Sequence, residues 1–163
     1  MTNNSEASAR VVTPGDPGYY QARQVWNAMY TASPAEIVYC QDVQGVSSAL
    51  TRALDRGAPF RLRCGGHSYE GYSTLDDGVV IDVTDMDGVT VSDDRKTAVI
   101  GAGGRLIDIY SALSAEGFAI PGGTCPPVGI SGLTLGGGLG MLVRAEGLTA
   151  CMLVVSREEA VSS

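Results

Sequence analysis

Between Pro121 and Gly140 the chain places eight glycines in twenty residues, and no other stretch constrains the fold as strongly. Glycine at that density disfavours helix and strand alike, so no regular element is expected there. Nor does the segment read as a flexible linker. Gly122, Gly123, Gly129, Gly132, Gly136, Gly137, Gly138 and Gly140 are interleaved with Cys125, Val128, Ile130, Leu133 and Leu135, which suits a buried loop whose backbone lines a ligand. A shorter loop, Arg63-Cys64-Gly65-Gly66-His67-Ser68, repeats the theme. Each loop sets one nucleophile, Cys125 or His67, in a backbone free of bulk, where main-chain N–H groups can close on an anion. The pair points to a site built around a large phosphate-bearing cofactor tethered at two points.

Composition narrows the field. At 163 residues the chain is long enough for one domain with a core. A net charge of −7 argues against nucleic acid, whose phosphates attract basic surfaces, and an aromatic fraction of 6% leaves little for base stacking. Met1 to Arg10 is polar, and no stretch approaches the ~18 uninterrupted apolar residues of a membrane span. The expected location is therefore cytoplasmic. Cys40, Cys64, Cys125 and Cys151 stand far apart with no CxxC pair, which offers neither zinc spacing nor a disulfide framework.

Local patterns predict the organisation. Residues 1–15 read as a disordered tail and 16–163 as one α+β domain without internal repeats. A helix is expected over 17–30: Asp16 can cap it, Pro17 suits its first position, and Tyr19, Ala22, Val25, Trp26 and Met29 recur at helical spacing. Strands at 36–40 and 60–63 flank a helix capped by Asp42 and stopped by Gly57, with Val43, Val46, Ala49, Leu50, Ala53 and Leu54 as its apolar stripe. This is a β-α-β unit with parallel strands and a right-handed crossover. The His67 loop then leaves the carboxyl end of a strand, where ligands of open α/β sheets sit. Further strands are expected at 79–83, 89–92 and 97–100, the last two joined by a hairpin turn at Ser92 to Arg95. A helix from Leu106 ends at Gly117, a short helix covers 142–148, and a strand follows at 152–155.

Familiar nucleotide and hydrolase signatures do not fit. Gly101-Ala102-Gly103-Gly104 lies between a strand and a helix, but the third glycine of GxGxxG falls at Leu106, and a start at Gly136 fails at Met141. No Gly-Lys-Ser/Thr of a P-loop is present, and Gly129-Ile130-Ser131-Gly132 is not GxSxG. A cysteine-dependent enzyme using Cys125 and His67 without a cofactor stays open as an alternative.

Arg61-Leu62-Arg63-Cys64-Gly65-Gly66-His67-Ser68-Tyr69-Glu70-Gly71 resembles the flavin-attachment loop of the berberine bridge enzyme family of FAD-linked oxidases, within the vanillyl-alcohol oxidase/para-cresol methylhydroxylase group. Gly123-Thr124-Cys125-Pro126-Pro127-Val128-Gly129-Ile130-Ser131-Gly132, continuing through Gly136-Gly137-Gly138-Leu139-Gly140, is similar to that family's second cofactor loop. The resemblance runs from about Asp16 to Thr149. It implies an FAD-binding PCMH-type domain with a small mixed sheet and an FAD bonded at its 8α-methyl to His67 and at C6 to Cys125. It further implies that the backbone of Arg63 to Ser68, with Ala102, Gly103, Gly122, Gly123, Gly129, Gly132 and Gly136 to Gly138, binds the rest of the cofactor. Val128 would sit where relatives gate oxygen, its small side chain favouring an oxidase. The partners implied are a small-molecule alcohol, sugar or secondary metabolite and O2, with neither nucleic acid nor membrane.

Two departures stand out. Leu133 replaces a histidine that many relatives carry, and Ala150-Cys151-Met152 departs from the expected polar turn. The family's substrate half, with its catalytic base, is expected to lie outside these residues, so no catalytic residue is assigned; Tyr69 and Glu70 are expected to be structural. The alternative reading is a truncated flavin-binding remnant without catalysis.

Overall fold

The computed structural model describes residues 9–153. The first strand, β1 (Ala9–Val12), pairs antiparallel with β2 (Glu36–Cys40). The tail expected through residue 15 is thus corrected at residues 9–12, where alternation of Ala9 and Val11 with Arg10 and Val12 suits a sheet edge. The helix expected over 17–30 shrinks to a single turn, α1 (Tyr19–Ala22). Its Tyr19 hydroxyl donates to the Pro34 carbonyl at 2.7 Å, while Val25 to Asn27 leave the helix to contact the His67 loop. Local periodicity loses there to tertiary contacts.

The next helix, α2 (Val43–Asp55), has the expected cap: the Asp42 carboxylate accepts the Gly45 N–H at 2.8 Å. It leads to β3 (Phe60–Arg63) and, after a loop, to β4 (Val79–Asp82). The sheet order is β1-β2-β4-β3, so β2 and β3 are parallel as expected but not neighbours; β4 lies between them, parallel to both. All four residues of β4 are buried: Val79, Val80 and Ile81 form the apolar run of a central parallel strand, and Asp82 ends it with a buried charge. Alternation splits its side chains between two cores. Val79 and Ile81 join Val38, Cys40, Ala49 and Ala53 under α2, whereas Val80 joins Val12 and Ile37 under α1.

A separate hairpin, β5 (Val89–Val91) and β6 (Ala98–Ile100), turns at Ser92 to Arg95 as expected. It packs on α3 (Leu106–Ala115), whose Leu106, Ile109 and Leu113 are buried with Ile130. The glycine-rich segment contains a short helix, α4 (Ile130–Leu135), where no element was expected. Ile130 and Leu133, one turn apart, bury against the α3 core and offset the low propensity of Gly132. After α5 (Val143–Glu146) comes a 3-10 turn, Thr149–Met152, in place of a strand beginning at Met152; residues 154–155 of that expected strand lie outside the described residues. Among the described residues no helix is long and apolar enough to cross a membrane.

Candidate functional site

The carboxyl ends of β2, β3 and β4 carry a polar row. Arg10 stands opposite Tyr39, Tyr39 opposite Asp82, and Asp82 opposite Arg63. Arg10 lies over the Tyr39 ring at 4.0 Å, and the Arg63 guanidinium pairs with the Asp82 carboxylate with both side chains buried. The other Asp82 oxygen accepts the Thr84 N–H at 2.8 Å. Arg63, whose backbone opens the expected cofactor loop, spends its side chain on this pair, with Nη1 buried and unpartnered. The row fixes the point from which the Cys64-to-Ser68 loop departs.

That loop meets the second glycine segment backbone to backbone. A Cβ on Gly65 would stand 2.8 Å from the Pro127 carbonyl oxygen and 3.0 Å from the Gly129 nitrogen, and Gly65 sits at φ +69°. A Cβ on Gly129 would in turn collide with Cys64 Sγ and its carbonyl. Only glycine permits this approach. The contact lies two residues from His67 on one strand and four from Cys125 on the other.

The Ala102 carbonyl ties in a third loop. It accepts Cys64 Sγ–H at 3.1 Å and the Ser131 hydroxyl. Close by, Leu106 N–H donates to the Val128 carbonyl at 3.0 Å and Ile130 N–H to the Gly104 carbonyl at 2.9 Å, while Gly103 N–H is spent on Met86. Gly122 and Gly123 lie on α3, with the Tyr110 hydroxyl donating to the Gly123 carbonyl at 2.7 Å; burial pushes the Tyr110 phenol up from its ordinary value. Gly136, Gly137 and Gly138 stand at the far end of α4, where the Gly137 and Gly138 carbonyls accept N–H groups of Ala150 and Thr149. Thus Cys64, Gly65, Ala102, Val128 and Gly129 form one cluster, and the triple glycine belongs to a neighbouring one.

The donor set matches an anion. Among the described residues, the backbone N–H groups of Gly65, Gly66, His67, Ser68 and Gly129 have no protein acceptor. Consecutive backbone donors left without a protein acceptor beside a close glycine contact can serve an anion. His67 is half-buried, Cys125 is exposed, and Val128 is half-buried against the α3 core. Pattern reading missed Trp26, which was assigned to a helical stripe, and Asp82, whose charge at the end of an apolar strand was the available signal.

These features define an α+β domain in which two glycine loops meet beside a row of free backbone donors. The FAD binding domain family matches residues 34–157, and the chain belongs to it, within the berberine-bridge-type group that the loops resemble. An uncharacterized FAD-linked oxidoreductase of Bacillus subtilis (strain 168) is 45% identical over 92% of this chain and 33% of its own length. BBE-like 1 of Physcomitrella patens superposes with a TM-score of 0.84 at 38% identity, covering 89% of this chain and 32% of that one. Glucooligosaccharide oxidase from Acremonium strictum, which carries a 6-S-cysteinyl, 8α-N1-histidyl FAD, matches with a TM-score of 0.81 at 29% identity over 88% of this chain and 30% of its own. The chain spans about a third of the length of these relatives.

Proposed function

We propose that this chain holds one FAD through covalent bonds to His67 and Cys125, as the flavin-binding part of an oxidase acting on an alcohol, sugar or secondary metabolite with O2 as acceptor. The observation that carries the reading is the Gly65–Gly129 contact, which joins the two nucleophile-bearing loops beside a row of free N–H donors. The doubly linked flavin of glucooligosaccharide oxidase supports the same pairing.

When bound, FAD supplies a two-electron acceptor for hydride from the substrate. The residues of the chain bind and orient it. Gly65 to Ser68 and Gly129 direct N–H groups at pyrophosphate oxygens, with Gly132, Gly136, Gly137 and Gly138 lining the remainder. His67 would hold the flavin through an N–C bond to its 8α carbon, the imidazole N–H and one 8α hydrogen leaving as protons and the two electrons going to O2 as hydrogen peroxide. Cys125 would hold the ring through a thioether at C6 with the same balance, its S–H and the C6 hydrogen leaving as protons and two electrons going to O2. Two anchors restrict the ring to one orientation, which favours a short hydride path. Val128, small and half-buried beside this contact, leaves O2 a way in. A cytoplasmic location is part of the same reading.

Acid denaturation is the experiment. Yellow flavin fluorescence should stay with the polypeptide, and the native holoprotein, once its flavin is reduced chemically, should return to the yellow oxidised form on admission of O2 with release of peroxide. Release of all flavin into the supernatant would overturn the covalent reading, and a reduced flavin that O2 does not reoxidise would overturn O2 as the acceptor.

A further inference from the structure

Val25 to Asn27 clasp the His67 loop. The Trp26 N–H donates to the Gly66 carbonyl at 3.0 Å, and Asn27 Nδ2 donates to the Tyr69 carbonyl at 2.8 Å. The backbone is therefore pinned just before His67 and just after it. Between these bonds the Trp26 indole lies on the imidazole, with ring centroids 4.4 Å apart and planes 20° from parallel. Tyr69 flanks both rings, 5.3 Å from Trp26 and 6.1 Å from His67. The clasp is itself secured, because Arg23 Nη1 donates to the Thr31 and Ala32 carbonyls at 2.8 and 3.0 Å. Yet Trp26 is 57% exposed. A large aromatic so open to solvent contributes little to a core, and its closest ring partner is the nucleophile.

We propose that Trp26 is a positioning residue for His67, holding the imidazole in one plane during attachment. A ring nitrogen's lone pair lies in the plane of its ring, so fixing the plane fixes the direction from which a carbon can be reached. Rotation about the His67 side-chain bonds would otherwise spread that direction over several staggered states. The inference rests on the reading of His67 as an FAD attachment point and adds a residue that the attachment loop does not contain. It also accounts for the unwinding of residues 23–30, since a helix continued through Trp26 would turn the Trp26 N–H away from the Gly66 carbonyl.

The test uses Cys125→Ala protein, in which covalent flavin reports on His67 alone. Adding Trp26→Ala should slow covalent incorporation of FAD roughly three- to tenfold, the size of an aromatic pair's preference expressed as a rate. Trp26→Phe, which keeps a flat face, should restore most of the rate, and Trp26→Leu should not. Unchanged incorporation in Trp26→Ala, or equal rates for Phe and Leu, overturns the proposal. Absence of covalent flavin in Cys125→Ala with Trp26 intact would instead overturn the attachment reading and this proposal with it. A readout without flavin is available because Trp26 is the single tryptophan of the chain. The imidazole covers one face of the indole, so His67→Ala in the flavin-free protein should make Trp26 more accessible to acrylamide quenching; unchanged accessibility contradicts the stack.

Discussion

The two loops that meet at Gly65 and Gly129 are held by different physics. The His67 loop springs from the parallel β3–β4 pair, braced below by the buried Arg63–Asp82 pair and to the side by Trp26. The Cys125 loop hangs on α3 through neutral hydrogen bonds: Tyr110 to Gly123, Ile107 N–H to the Pro126 carbonyl and Leu106 N–H to the Val128 carbonyl. The first depends on charges that are costly to separate, the second on several contacts of modest worth. One side of the site is therefore stiff and brittle, while the other tolerates single losses.

The sharpest way to break this contrast is Asp82→Ala. It leaves the Arg63 guanidinium buried without its partner, a change worth about 3–5 kcal/mol. Urea unfolding should show a fall of that size; a loss under 1 kcal/mol would mean that the pair does not brace the loop. Next comes Gly129→Ala, whose methyl meets Cys64. Accommodating it should cost about 1–3 kcal/mol and weaken FAD retention, read by thermal unfolding and by flavin remaining after gel filtration. The smallest effect is expected of Tyr110→Phe, which removes one hydrogen bond at a net cost of ~0.5–1.5 kcal/mol while leaving His67 attachment intact. If it matched Asp82→Ala, the contrast would be lost.

A pH series sharpens the account of the sheet side. Burial first, and then the Asp82 and Asp42 carboxylates, pushes the Cys40 thiol up from 9.0 to about 11. The folded state therefore keeps a proton that the unfolded chain releases above pH 9. The stabilisation is complete below pH 9 and is lost as pH rises through about 11. Unfolding of Cys40→Val, compared with the parent, should show this portion of the alkaline decline removed; parallel profiles would contradict it.

Much of this arrangement was legible in local sequence. The Asp42 cap, the stripe of α2, the strands at 36–40 and 60–63, and the Ser92-to-Arg95 turn all rest on interactions within a few residues, and they recur in the structure. Long-range competition accounts for most of the rest. Trp26 keeps helical spacing with Tyr19 and Ala22, but its N–H is taken by Gly66, forty residues along the chain. The insertion of β4 between β2 and β3 depends on which strand can be buried on both faces, a property of the assembled sheet. Glycine content hid α4, because Ile130 and Leu133 obtain their burial from α3. In the site, the two motifs marked the nucleophiles, whereas the meeting of Gly65 with Gly129 and the buried pairing of Arg63 with Asp82 required the fold.

The central claim is that a single flavin bridges the two loops, and a tryptic digest of the holoprotein tests it directly. Cleavage leaves His67 in a peptide of residues 64–95 and Cys125 in one of residues 106–144. Mass spectrometry should find these two peptides joined through one FAD. Two separate peptides, or flavin on only one of them, would contradict the account.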